Sequence, residues 1–60
     1  MMILIAEDDK NLGFLLKSEL EEDGHKVDLV GDGVDAVLKF ISGNHEFIIF
    51  DIKILIKNIV

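Results

Sequence analysis

The chain has 60 residues, half of them hydrophobic, and twelve acidic residues against six lysines give it a net charge of −6. That length allows one small domain at most, hiding only ~60% of the surface its unfolded form exposes, and the acidity argues against nonspecific binding to nucleic acid or to an anionic membrane. With no cysteine there is neither a disulfide framework nor a thiolate metal site, and no apolar stretch approaches the ~18 residues that span a bilayer, so a soluble, cytoplasmic chain is expected.

In chain order, Met1-Met2-Ile3-Leu4-Ile5-Ala6 is a short run of β-favouring apolar residues that stops abruptly at Glu7-Asp8-Asp9. Its length and sharp polar end predict a buried strand. Asp8 or Asp9 suits the N-cap of a following helix, because a short carboxylate accepts hydrogen bonds from the first free backbone N–H groups. Capping needs only one acid; three in a row repel one another unless a cation sits among them.

Lys10 to Asp23 has helical spacing, with Leu12, Leu15, Leu16 and Leu20 in one stripe and Gly24 placed to end the helix in the left-handed conformation. Gly13 and Phe14 fit this helix badly. Glycine costs ~1 kcal/mol there relative to alanine, and Phe14 lies off the leucine stripe, either as plain surface or as a contact with a partner. Next, His25-Lys26-Val27-Asp28-Leu29-Val30 alternates apolar and polar, the pattern of a half-exposed edge strand. Asp32 is a natural N-cap for a second helix whose Val34, Val37, Leu38 and Ile41 follow i, i+3, i+4, i+7 spacing. Gly43-Asn44 ends it. His45 reads as a solvated loop residue, and neither His25 nor His45 has a companion at ligand spacing.

Glu46-Phe47-Ile48-Ile49-Phe50-Asp51-Ile52 then reads as a strand buried on both faces, with Asp51 at its carboxyl end. Strand, helix, strand, helix, strand with short connections means two βαβ units and a parallel sheet. Right-handed crossovers that place the helices on opposite faces give strand order 2-1-3. Strands 1 and 3 are then neighbours, and their carboxyl ends gather Glu7, Asp8 and Asp51 at the switch point where α/β sheets bind ligands. Clustered carboxylates suit a hard divalent cation that keeps several waters, Mg²⁺ above all.

These residues together, Ile3 to Asp9, Asn11-Leu12, Leu15-Leu16, Leu20 to Val27, Asp32-Gly33, Ala36 and Phe47 to Ile52, resemble the receiver domain of bacterial two-component response regulators. The resemblance extends over residues 2 to 52. It implies a flavodoxin-like fold, no enzymatic role, and a histidine kinase as the source of a phosphoryl group accepted by Asp51. It also implies direct Mg²⁺ ligation by Asp8, ligation through water by Glu7, and a further ligand in the backbone carbonyl of Lys53.

The departures from that family are as informative. A receiver normally continues for about as many residues again, and the family's switch hydroxyl and lysine belong to that second half. After Asp51-Ile52 the family has a loop with proline and glycine, whereas this chain reads Lys53-Ile54-Leu55-Ile56-Lys57-Asn58-Ile59-Val60. Residues 1–60 are therefore expected to form one receiver-like half-domain. Its divergent tail, 52–60, would extend the third strand and draw Asp51 into a strand interior. The bare edge of that strand, and the apolar surplus, favour pairing with a second copy. Three readings follow: a homodimeric half-domain with little or no phosphorelay activity, a working phosphoacceptor, and an acidic Mg²⁺-binding module without phosphotransfer.

Overall fold

A computed structural model describes residues 1–51 and residue 53. Strand β1 (Met2–Ala6) leads to helix α1 (Lys10–Glu22), β2 (Lys26–Val30), α2 (Gly33–Ser42) and β3 (Phe47–Phe50). All pairings are parallel and the sheet order is β2-β1-β3. This is the parallel α/β sheet of order 2-1-3 that the spacing of apolar runs and caps predicts, and the flavodoxin-like arrangement that the resemblance implies.

The ends of α1 are defined by its own residues. Asp9 caps it by accepting from the N–H groups of Asn11 and Leu12 at 3.0 and 3.2 Å. At the other end Gly24 takes φ +90°. There the Gly24 N–H donates to the Glu21 carbonyl and the His25 N–H to that of Leu20, the paired bonds of a Schellman motif, which only a residue comfortable in the left-handed region completes at low cost. Asp32 caps α2 through the Asp35 N–H at 2.8 Å.

Two small cores lie on opposite faces of the sheet. Under α1, Ile3, Ile5 and Val27 are buried, with Leu16, Leu20, Leu29 and Ile49 packed around them. On the α2 face, Leu4, Ala6 and Val30 meet Ala36. Gly13, costly to the isolated helix, is explained by the packing: a Cβ there would sit 2.9 Å from Leu29 Cδ1, so its absence lets α1 lie close against β2. Phe14 is exposed, over the β2 side of the molecule rather than toward β3.

Three sequence expectations change in the folded chain. The α2 stripe of Val34, Val37, Leu38 and Ile41 does not face the sheet. Gly33 and Ala36 are buried instead, and the four larger side chains are exposed, because small residues allow a closer helix-to-sheet approach. His45 is not solvated: its side chain has 0% exposure and its Nε2 lies 2.8 Å from Asp28 Oδ2. The third change concerns β3, whose Phe47, Ile48 and Phe50 are exposed. It is an edge strand among the described residues, since order β2-β1-β3 leaves one side of it unpaired. The strand ends at Phe50, so Asp51 follows it rather than lying in its interior and Lys53 does not continue it; the rest of the expected 52–60 extension lies outside the described residues.

Candidate metal centre

The acidic residues belong to two chain segments 44 positions apart, and the parallel β1–β3 pairing unites them. Ala6 is in register with Phe50, so the residues that follow each strand emerge side by side. The Asp51 N–H donates to the Ala6 carbonyl at 2.9 Å, and on the other side the Glu7 N–H donates to the Val30 carbonyl at 3.0 Å. The backbones bearing Glu7 and Asp51 are thus tied to the carboxyl end of the sheet. Ligand oxygens of Glu7, Asp8 and Asp51 all lie within 4.8 Å of one another. Glu7 and Asp51 are half-buried, and Asp8 is exposed.

Local hydrogen bonds orient these groups. Asp51 Oδ1 accepts from the Lys53 N–H at 2.9 Å, which holds residue 53 beside the carboxylates. Glu7 Oε1 accepts from the Asp9 N–H at 3.3 Å. Desolvation and a side-chain hydrogen bond with Asp51 push the Glu7 pKa above its ordinary value. The charges of Asp51 and Asp8 act in the same direction, and the Asp9 N–H opposes them.

An all-oxygen, multiply anionic set of this kind fits a hard cation such as Mg²⁺ and gives little hold to metals that prefer sulfur or imidazole. Such a cation would relieve the mutual repulsion of the carboxylates and oppose the upward shift of the Glu7 pKa. The two histidines lie apart from this cluster in their contacts. His25 Nδ1 is 3.2 Å from the Met1 ammonium group, and His45 is bound to Asp28.

Searches of known sequences agree with the topology. Over 52 residues, 87% of the chain, it is 35% identical to transcriptional regulatory protein RprY of Bacteroides fragilis, covering 22% of that protein. Over the same length it is 36% identical to transcriptional regulatory protein TcrA of Mycobacterium tuberculosis and 38% identical to response regulator ArlR of Staphylococcus haemolyticus, covering 21% and 24% of them. Over this stretch the chain is response-regulator-like. Sequence similarity and the β2-β1-β3 sheet together mark residues 1–52 as related to the first half of a receiver. The chain spans less than a quarter of the length of these relatives. No family model matches it, and no solved structure matches it significantly.

The His45–Asp28 pair was not legible in the sequence. Its only signal is an acid on the polar side of β2, which reads equally well as a solvated face. Among the described residues no helix is long and apolar enough to cross a membrane.

Proposed function

We propose that this receiver-like half-domain carries a Mg²⁺-dependent phosphoacceptor, Asp51, with Asp8 and Glu7 as cation-holding carboxylates and the Lys53 carbonyl as a further ligand. The convergence of Glu7, Asp8 and Asp51 within 4.8 Å carries this reading. The hydrogen bond from the Lys53 N–H to Oδ1 orients the Asp51 carboxylate, one oxygen of which is the attacking atom. That oxygen forms a bond to phosphorus as the bond from phosphorus to the donor breaks in line, and the electron pair leaves with the donor. When bound, Mg²⁺ supplies charge neutralisation for the phosphoryl oxygens. A histidine kinase is the donor that the response-regulator relatives suggest.

Incubation of the protein with Mg²⁺ and a small phosphodonor tests the reading by intact mass. The expected result is one added phosphoryl group on the wild type and none on Asp51→Asn. If the wild type gains no mass, phosphotransfer is lost; Mg²⁺ binding that weakens in Asp8→Asn would then leave the acidic cation-binding module.

The unpaired apolar edge of β3 favours a second reading, a homodimer with little or no phosphorelay activity. Its exposed Phe47, Ile48 and Phe50 provide apolar surface and backbone groups that a second copy can cover. Light scattering at micromolar concentration is expected to give twice the 6.7 kDa chain mass. A stable folded monomer would rule this reading out.

A further inference from the structure

We infer that the outward apolar face of α2, continuous with the α2 side of β3, is an isologous interface occupied by a second copy of this chain. This rests on the homodimer reading and deepens it, by placing the contact on α2 and the adjoining face of β3 rather than on the β3 edge alone.

Helix α2 has an apolar stripe, and among the described residues that stripe is largely exposed. Helix α2 packs on Leu4, Ala6 and Val30 of the sheet through Ala36, and Val34, Val37 and Ile41 are 59%, 55% and 74% exposed. The surface continues toward β3. An apolar groove of about 150 Å³ lies between the two elements, lined by Leu4, Ala36, Val37, Phe40, Ile48 and Phe50. Phe40 is 52% exposed, Ile48 38% and Phe50 39%. Together Val34, Val37, Phe40, Ile41, Ile48 and Phe50 present on the order of 500 Å² of apolar side chain, at the scale of the patches that mark interaction sites. With a polar rim, this approaches the roughly 800 Å² per partner of a stable interface.

Charge selects the face and its occupant. Although the chain carries −6 overall, α2 contains one acid and one base, Asp35 and Lys39, and is neutral. Two copies can therefore meet along it without like-charge repulsion. Helix α1 also exposes Leu12, Phe14 and Leu15, but its Glu19, Glu21 and Glu22 outnumber Lys10 and Lys17, and the three acids crowd its last turns, so self-association along α1 would set like charges against one another there. A two-fold axis needs a surface complementary to itself, and the neutral apolar α2 face meets that condition.

Sedimentation velocity over a concentration series, on the 60-residue chain and three variants, tests the inference. Ile41→Lys and Val34→Lys alter side chains more than half exposed in the protomer, and circular dichroism checks that each variant folds. A dimeric wild type is expected, with dissociation constants raised at least tenfold in both variants and unchanged in Phe14→Lys on the opposite face. If the wild type dimerises and both α2 variants dimerise as tightly, the α2 interface is overturned while the homodimer stands, with the β3 edge as its contact. A monomeric wild type overturns both and assigns the face to a different occupant.

Discussion

Glu7 shows how one carboxylate reports on its neighbours. Desolvation and its hydrogen bond with Asp51 raise its pKa above the ordinary 4.5, so the folded chain keeps this proton at pH values where the unfolded chain has lost it. The stability that Glu7 contributes is therefore complete below about 4.5 and declines as pH rises toward the folded-state value. Urea midpoints measured from pH 4 to 7 without divalent cations should fall with pH more steeply in the wild type than in Glu7→Gln. Parallel profiles would show that Glu7 does not carry the effect. Gly43 makes a different point at the same scale. A Cβ there would lie 2.9 Å from the Lys39 carbonyl and 2.8 Å from His45 Nδ1, and would also overlap Cε1 of that ring. Backbone at the end of a helix and a fully buried ring yield little, so Gly43→Ala should destabilise by about 1–3 kcal/mol, whereas Gly31→Ala, with no atom within 4 Å of the new Cβ, should stay within about 0.5 kcal/mol by the same denaturant measurement.

At the scale of elements, the two helices are set on the sheet by different means. The start of α1 rests on Asp9, which satisfies two backbone donors, and its middle rests on the close approach that Gly13 permits. Asp9→Ala should cost about 1 kcal/mol in urea unfolding, and Asp9→Ser, which retains a capping oxygen, should recover most of it. Equal losses for both would place the role of Asp9 outside the cap. Helix α2 is held by the small residues Gly33 and Ala36, and the segment leaving it is fastened through the His45–Asp28 contact, which joins the approach to β3 with the far edge strand β2. Among the described residues His45 Nδ1 is buried without a hydrogen-bond partner, and the ring is held by the contact through Nε2.

For the whole molecule, the parallel β1–β3 register links folding to the acidic site. Only the folded chain brings Glu7 and Asp8 beside Asp51, so a cation binding there selects the folded state. Adding Mg²⁺ at pH 7 should raise Tm with concentration, reaching the equivalent of ~2.7 kcal/mol at one hundred times Kd, while Asp8→Asn should flatten the response. A Tm that ignores Mg²⁺ in the wild type would remove the metal from the site.

Sequence alone determined the order and boundaries of most elements, the parallel 2-1-3 sheet, the N-cap of α2, the glycine end of α1 and the acidic residues that gather at the sheet's carboxyl end. These follow from local patterns: apolar runs, helical spacing, and residue types with narrow conformational uses. The tertiary structure chose Asp9 over Asp8 as the cap of α1, and decided which side of α2 meets the sheet, why Gly13 stands in a helix, and that His45 is buried against Asp28. Periodicity marks where apolar side chains align but not which neighbour they meet. That depends on how closely two elements can approach, and at Gly13 and Ala36 it was the small residues that set the distance.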